Sequence, residues 1–150
     1  DMERVRELSL IAGRFSRFLN DPMIPREKGE GLFRMWGEES VRGNLADAAL
    51  GAMDSANVLL GLVTTKKSSG TGRIGLIAVD PTAQGEGLGT LLLSAVERWC
   101  FLRGLKELRV ATQGENLAAC RFYTRYGFTL PVRHQIYHVW LRHPACDYRR

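Results

Sequence analysis

The sequence predicts a single α+β domain, a sandwich of helices on a mixed sheet. Three observations support this fold class. A chain of 150 residues with 45% hydrophobic and 25% charged content suits one compact domain with its own core. Strand-like segments in the middle of the chain alternate with turn-rich segments, which favours hairpins. The second half then alternates helix, strand, helix and two further strands, so we treat residues 1–150 as one domain.

The N-terminal part is predicted to be helical. Apolar residues recur at helical spacing from Val5 to Leu19, which predicts an amphipathic helix over residues 1–19 with Asp1 as its N-cap. Prolines and glycines among charges predict an exposed loop over residues 20–31, followed by a helix over 32–41. The chain begins on a helix and without methionine, so we expect it to be a piece of a longer protein.

Three strands are predicted next, over residues 46–53, 58–65 and 73–79. The separating segments, 54–57 and 66–72, have turn chemistry, so the strands are expected to pair as hairpins. Lys66 and Lys67 then fall in the second turn. Contact with phosphate is one role for this pair, and a solvated hairpin tip is the more frequent one.

The second half of the chain is predicted to begin with a helix. Apolar residues from Leu88 to Trp99 occupy one face of a helix that is expected to stop at Gly104. A short strand is predicted over residues 108–112. A helix over 116–126 follows, with Asn116 as N-cap and Gly127 at its end. Residues 128–130 and 134–141 are predicted to be closing strands.

Composition excludes several classes of protein. The net charge of +5 and the pI near 9.4 favour anionic partners, but the arginines are dispersed, so nucleic-acid binding is not expected. No apolar run approaches the roughly 18 residues of a membrane span, and no secretory signal is present, so we expect a cytoplasmic protein. Three separated cysteines suit reduced thiols. His134, His138 and His143 lack accompanying ligands, so no metal is expected.

The segment Gln84-Gly85-Glu86-Gly87-Leu88-Gly89 lies between a predicted strand and the Leu88 helix. Amides of such a loop and of the first helical turn converge on one point, which attracts phosphate. Glycine lets the backbone approach a pyrophosphate closely. The segment fits neither the P-loop pattern nor the dinucleotide-binding fingerprint. The spacing of the glycines alone does not decide between a phosphate-binding loop and a flexible connection.

These residues resemble the central motif of the GNAT acetyltransferases, Gln/Arg-x-x-Gly-x-Gly/Ala after a strand. The strand and loop match in order and spacing, and 108–112, Asn116, Tyr123 and Gly127-Phe128 resemble the rest of the family's cofactor half. The resemblance covers residues 1–142. It implies the GNAT fold, a mostly antiparallel sheet that splays between the fourth and fifth strands, with the first strand upstream of Asp1. It also implies an acetyl-CoA cofactor.

Within the superfamily, the sequence resembles the dTDP-fucosamine group of sugar-nucleotide N-acetyltransferases. Residues 16–18, 36–43 and 108–123 carry this resemblance. The glycine loop is closer to the general GNAT consensus. By family analogy the first two segments build the acceptor pocket, which makes Arg17, Phe18 and Trp36 the predicted substrate-binding residues.

The resemblance also assigns the remaining site residues. The predicted cofactor-binding residues are Leu76, Ile77, Ala78, Val79, Gln84, Gly85, Glu86, Gly87, Leu88, Gly89, Thr90, Asn116, Ala119 and Tyr123. Tyr123 is also the expected general acid, because a phenol can protonate a departing thiolate. Packing is the alternative role for Tyr123, and Tyr126 is the second candidate acid. No general base stands out, with Asp80 expected to cap a turn and Glu38 and Glu39 expected to face solvent.

The function expected from the resemblance is acetyl transfer to a primary amine, on a nucleotide-linked amino sugar. Three other readings stay open at this point. They are another amine acceptor, such as a peptide N-terminus, a polyamine or an antibiotic; a non-catalytic acyl-CoA-binding module; and nucleic-acid binding driven by charge. We expect a small-molecule acceptor and no membrane partner, and a homodimer is left open.

Overall fold

The computed structural model describes residues 1–129, 132–137 and 139. Its sheet has the order β1-β2-β3-β4, with antiparallel pairs β1/β2 and β2/β3 and a parallel pair β3/β4. The predicted α+β class with a mixed, mostly antiparallel sheet is confirmed. The elements are α1 (Met2–Gly13), α2 (Arg17–Asn20), α3 (Arg26–Val41), β1 (Ala48–Met53), β2 (Leu59–Ser68), β3 (Thr71–Val79), α4 (Leu88–Phe101), β4 (Leu108–Arg109) and α5 (Leu117–Tyr126), with a 3₁₀ turn at Pro81–Ala83.

Helices cover both faces of the sheet, because successive side chains of a strand point to opposite faces. On one face, Leu8 of α1 packs against Leu62 and Ala78. On the other face, Leu93 of α4 and Tyr123 of α5 join a larger cluster with the inward side chains of β2 and β3. Leu8 and Leu93 are completely buried. The two cores hold the sheet rigidly between helical layers.

The predicted helix over residues 1–19 is wrong as a single helix. It breaks after Gly13, and a short α2 begins at Arg17. Ser16 has an extended backbone, and its hydroxyl accepts a hydrogen bond from the Phe18 amide at 3.2 Å. A serine in this role starts a new helix, so hydrophobic spacing continues through the break although the backbone does not.

The predicted loop over residues 20–31 is also wrong in its second half. Helix α3 begins at Arg26, directly after Pro25, and so extends well before the predicted start at residue 32. Gly29 is buried, and a Cβ there would lie 2.3 Å from the Phe18 carbonyl oxygen. This glycine therefore lets α3 approach α2 closely rather than marking a loop.

The second hairpin is longer than predicted, so its tip is shorter. Strand β2 continues to Ser68 and β3 starts at Thr71, which leaves Ser69 and Gly70 as a two-residue turn. Their φ angles of 49° and 78° are both positive, as the tight turns of twisted hairpins require. Lys66 and Lys67 therefore lie within β2 and not at the tip.

Strands β3 and β4 pair only at their beginnings. The pairs are Gly72 with Leu108 and Arg73 with Arg109, and β4 ends there rather than at residue 112. Within the described residues, the β4 side of β3 from Ile74 to Val79 has no strand neighbour. β3 and β4 take the places of the fourth and fifth strands of the family, between which the splay was predicted. They part there, which leaves alternate backbone N–H and C=O groups of β3 without a strand partner.

Several chain ends match the sequence-based predictions. Asp1 caps α1 by accepting from the Glu3 amide at 3.0 Å. Asn116 caps α5, which ends at Gly127 with a φ of 117°. Helix α4 ends at Phe101, shortly before Gly104, whose φ is 66°. These boundaries depend on local hydrogen bonds, which explains why the sequence predicts them.

The predicted closing strands fall partly on positions outside the described residues. The described residues of 128–130 and 134–141 form neither helix nor strand. His138, His143 and Cys146 lie outside the described residues. In the part of the chain that the structure covers, no helix has the length and apolar character needed to cross a membrane.

Candidate functional site

The N-terminus of α4 lacks a side-chain cap. Gly87 occupies the cap position with a φ of 84° and has no side chain to accept from the helix. The first backbone bond of the helix joins the Leu91 amide to the Gly87 carbonyl at 3.0 Å. The amides of Leu88, Gly89 and Thr90 therefore have no partner within the helix. Together with the helix dipole they favour an anion at this end.

The loop before α4 leaves this end open. Gly85 and Gly87 both have positive φ, and a Cβ on either would meet no heavy atom within 4 Å. Glu86 between them is exposed. The Gln84 amide nitrogen donates to the Val79 carbonyl at 3.1 Å, which ties the loop back to the end of β3. The glycines serve conformation and access, because no packing contact requires them to be small.

Helix α5 lies beside the first turn of α4. A Cβ on Gly89 would lie 3.1 Å from the tip of the Phe122 ring, so glycine here permits close packing of the two helices. Tyr123 belongs to the core cluster on this face of the sheet. Predicted site residues that pack against that cluster are Ile77, Val79, Leu88 and Ala119. The structure thus brings the end of β3, the start of α4 and α5 together.

Strand β3 has an irregularity where it faces α3. Between Val63 and Thr65 the register with β2 shifts, and the Leu76 amide donates to the Thr64 hydroxyl at 2.9 Å instead of to a strand carbonyl. A Cβ on Gly75 would lie 2.9 Å from that hydroxyl and 3.7 Å from the Trp36 indole nitrogen. A glycine within a strand is a sequence signal for such a bulge.

Trp36 is placed at this bulge. It lines a cavity of about 320 Å³ together with Thr64, Gly75 and neighbouring residues of the β2/β3 hairpin. Its ring stacks on Phe33 with centroids 5.8 Å apart, which fixes the indole over the sheet. Its N–H donates to none of the described residues. Trp36 is therefore a donor facing a cavity beside β3.

The other predicted acceptor residues lie elsewhere on the helical layer. Arg17 and Phe18 form part of α2, where the Arg17 guanidinium stacks over the Phe18 ring at 4.5 Å. Helix α2 packs on α3 at Gly29, about two helical turns before Trp36. The structure places these residues on the same layer as Trp36, at a different position along α3.

Tyr123 is buried, and its hydroxyl differs from most buried phenols in the part of the chain that the structure describes. The residue is 8% exposed, and its ring packs against Phe122 and Phe128 with centroid distances of 5.4 and 5.6 Å. Burial, followed by the charge of Cys120, raises the pKa of Tyr123 to about 12. None of the described residues forms a hydrogen bond with its hydroxyl. Buried tyrosines usually find such a partner, so this phenol is available to a ligand.

Tyr126, the second candidate acid, has a different environment. Its hydroxyl lies 2.7 Å from a carboxylate oxygen of Glu97 and 3.5 Å from the Ser94 hydroxyl, both on α4. This phenol joins α5 to α4. Of the two phenols, Tyr126 is thus the one engaged by other described residues.

The candidate carboxylate bases are occupied. Hydrogen bonds from the Thr82 hydroxyl and from Arg4 lower the pKa of Asp80 to about 2. Glu38 pairs with Arg6 and Arg42, and Glu39 with Asn44 and Arg42, and these bonds lower the pKa of both glutamates. The expected turn-capping role of Asp80 is confirmed, because it accepts from the Thr82 amide at 2.9 Å. Ionised and paired carboxylates are poor proton acceptors.

Asn116, a predicted cofactor-binding residue, is the N-cap of α5. Its side-chain oxygen accepts from the Ala119 amide at 3.2 Å, so this atom caps the helix. The roles of the individual predicted cofactor residues stay predictions.

A family model now identifies the architecture. The model of the acetyltransferase (GNAT) family matches residues 17–128. The chain belongs to this family. The match extends from α2 through the glycine loop to Phe128, and so it includes the α4 N-terminus, the β3 bulge and Tyr123. The open glycine loop and the parted strands are thus features of a GNAT domain.

Curated relatives of this GNAT chain have different substrates in their names. The chain is 32% identical over 128 residues to the dTDP-fucosamine acetyltransferase of Escherichia coli O6:H1, which covers 85% of this chain and 54% of that protein. It is 39% identical over 85 residues to the mycothiol acetyltransferase of Actinosynnema mirum, covering 56% of this chain and 29% of the relative. The chain spans about half or less of the length of these relatives.

A solved structure also resembles this GNAT domain. It is the aminoglycoside N-acetyltransferase AAC(6')-Iy in complex with CoA. The TM-score is 0.59 at 26% sequence identity, and the match covers 70% of this chain and 84% of the other. The GNAT fold predicted from the motif is confirmed.

Proposed function

We propose that this GNAT domain is an acetyl-CoA-dependent N-acetyltransferase that transfers acetyl to a primary amine of a nucleotide-linked amino sugar. The observation that carries the proposal is the uncapped N-terminus of α4, which opens beside the unpaired edge of β3. The resemblance to dTDP-fucosamine acetyltransferase supports the acceptor class. The CoA complex of the aminoglycoside enzyme supports the cofactor.

The amides of Leu88, Gly89 and Thr90 are suited to the diphosphate of acetyl-CoA. Gly85 and Gly87 keep side chains away from those amides. The edge of β3 from Leu76 to Val79 offers backbone donors and acceptors that an extended pantetheine arm can pair with, as an added strand does. Bound in this way, acetyl-CoA supplies the thioester that the amine attacks.

Acetyl transfer also requires stabilisation of the charge that develops on the thioester oxygen and on the leaving sulfur. Backbone amides near the β3 bulge are the donors for the oxygen. Tyr123 is the donor for the sulfur, because its hydroxyl has no partner among the described residues and its ring is held by packing. Its pKa of about 12 keeps the phenol protonated at neutral pH.

The magnitude of that pKa decides how Tyr123 acts. A typical thiol has a pKa of about 8.5, so full proton transfer from this phenol is uphill by more than three units, or about 5 kcal/mol. Tyr123 therefore stabilises the sulfur by donating a hydrogen bond. Since Asp80, Glu38 and Glu39 are ionised and paired, the amine loses its proton to water, and the departing CoA thiolate takes a proton from water in turn.

A different amine is the second candidate acceptor. The mycothiol acetyltransferase relative and the aminoglycoside enzyme favour it, since both are named for acceptors other than a nucleotide sugar. Acceptor screening with detection of free thiol distinguishes the two classes. Turnover of other amines without turnover of any nucleotide-linked amino sugar would assign the second class.

The cofactor site is tested by Gly87→Asn. Asparagine tolerates positive φ better than other residues, and its side chain would enter the space before the α4 amides. We expect acetyl-CoA affinity to fall at least about tenfold in calorimetry, the loss of one charge-assisted contact. Gly104→Asn is the matched control, because Gly104 has a φ of 66° and open surroundings at the other end of α4. Equal affinities of both variants and wild type would refute the site.

A further inference from the structure

Two like charges lie directly opposite each other on the β2/β3 hairpin. Lys66 pairs with Arg73 in the antiparallel register, so their side chains share one face of the sheet. Ile74, the next residue, faces the α4 core, which places Lys66 and Arg73 on the other face. Like charges at directly opposed positions destabilise a strand pair. Both side chains are exposed, so water screens this repulsion, and an anion bound between them would remove it.

No carboxylate forms an ion pair with Lys66 or Arg73 in the part of the chain that the structure describes. Neither Lys66 nor Arg73 forms a salt bridge there, whereas many other arginines do. Asp47 lies beside this end of β2, but its carboxylate accepts from the Lys67 amide at 2.6 Å. The pKa of Glu107 is lowered mainly by Arg109 and also by the charge of Arg73. The Glu107 carboxylate, however, binds Arg109 at 2.8 Å and Thr71 at 3.2 Å. The two cations thus remain available to an external anion.

The same two residues line the cavity of about 320 Å³ that contains Trp36. The indole N–H of Trp36 donates to none of the described residues. The residues that line this cavity include two lysines and an arginine and no acidic residue. Its lining is thus rich in donors and positively charged, which suits an anionic group with several acceptor oxygens.

We propose that Lys66 and Arg73 bind the diphosphate of the acceptor and make this domain selective for phosphate-bearing amines. This inference rests on the proposed function and names the residues that recognise its substrate. Opposed residues on neighbouring strands lie about 5 Å apart, so the two cations can each engage one of two adjacent phosphates.

The position of the pair along β3 agrees with this role. Arg73 precedes the bulge at Gly75 and Leu76 by two to three residues, which corresponds to about 7–10 Å along a strand. An acceptor held at Lys66 and Arg73 therefore reaches the bulge with its far end. Its amine then lies at the β3 edge, where the thioester is expected.

A binding experiment tests the pair directly. Thymidine diphosphate is titrated calorimetrically into protein saturated with CoA, so that the α4 site is already filled. We expect Lys66→Gln/Arg73→Gln to weaken binding roughly 10- to 100-fold, the effect of losing bonds to a charged group. Arg98→Gln is the matched control, because Arg98 is exposed on α4, on the other face of the sheet. Absence of thymidine diphosphate binding to wild type, or equal binding by all variants, overturns the inference.

Kinetics separate this inference from the proposed function. For a thymidine-diphosphate-linked amino sugar, the double variant should raise KM about tenfold or more, while KM for the methyl glycoside of the same sugar stays unchanged. A Lys66→Arg variant keeps the charge and should restore most of the affinity. Equal effects on both acceptors overturn the role of the pair. Failure to bind acetyl-CoA would instead refute the proposed function, and the same titration without CoA would still decide whether the pair binds a diphosphate.

Discussion

Tyr123→Phe tests the chemistry while preserving the packing. The substitution removes only a hydroxyl that has no hydrogen-bond partner among the described residues. The ring contacts with Phe122 and Phe128 remain. We therefore expect the free energy of unfolding near pH 7 to change by less than about 1 kcal/mol. Acetyl-CoA affinity should also be nearly unchanged, because the diphosphate contacts lie at α4.

The expected loss of turnover follows from the pKa of the phenol. A general acid that transfers its proton contributes roughly 10²- to 10⁴-fold. Tyr123, with a pKa of about 12, is too weak an acid for full transfer to a thiolate, so only a hydrogen bond to developing charge is lost. Such a bond is worth about 1.5–3 kcal/mol, which corresponds to roughly a 10- to 100-fold decrease in kcat. Free-thiol release under saturating substrates measures this value.

The same substitution has a signature in stability against pH. The folded pKa of about 12 is raised above the ordinary value of about 10 for an unfolded tyrosine. Between pH 10 and 12 the unfolded phenol ionises while the folded phenol stays protonated, so the stability of wild type relative to Tyr123→Phe is constant below pH 10 and falls as the pH rises towards 12. Two units correspond to roughly 3 kcal/mol, so wild type should lose that much stability relative to Tyr123→Phe over this interval. Urea unfolding at several pH values compares the two proteins.

Tyr126→Phe is the matched control for both measurements. It removes the hydroxyl bonded to Glu97 and should cost about 1 kcal/mol of stability with little change in kcat. Turnover of Tyr123→Phe within twofold of wild type would refute the donor role and favour a non-catalytic acyl-CoA-binding module. A decrease of about 10³-fold or more would refute the argument that only a hydrogen bond is involved, because proton transfer accounts for losses of that size.

Two further predictions concern the framework of the site. Leu93→Ala removes a completely buried side chain at the centre of the α4 core and should lower the unfolding free energy by roughly 3–5 kcal/mol in urea denaturation; a loss below 1 kcal/mol would contradict the assigned packing. Thr82→Val removes the strongest contribution to the low pKa of Asp80, so that pKa should rise from about 2. Asp80 stabilises the fold above its ordinary pKa and ceases to do so as pH falls towards 2, and the variant should lose this stabilisation at higher pH. Carboxyl NMR titration measures the shift, and Arg4→Gln should cause a smaller one.

The sequence by itself determined the features that depend on a few consecutive residues. Asp1 and Asn116 accept from amides two or three residues onward, and Gly127 adopts the left-handed conformation that ends a helix. The glycine loop likewise needs only positive φ at Gly85 and Gly87. The strand-loop-helix order of this region carries the family resemblance. These are local conformational preferences, so a linear pattern contains them.

Only the tertiary structure decided which distant segments meet. The early start of α3 depends on how α2 and α3 approach each other at Gly29. The contact of Gly89 with Phe122 likewise joins segments far apart in the chain. The same is true of Trp36 at the bulge and of Lys66 opposite Arg73. The spacing of apolar residues along the sequence predicts whether a residue is buried or exposed. It does not predict which residue packs against it, because packing and strand register are properties of the assembled sheet.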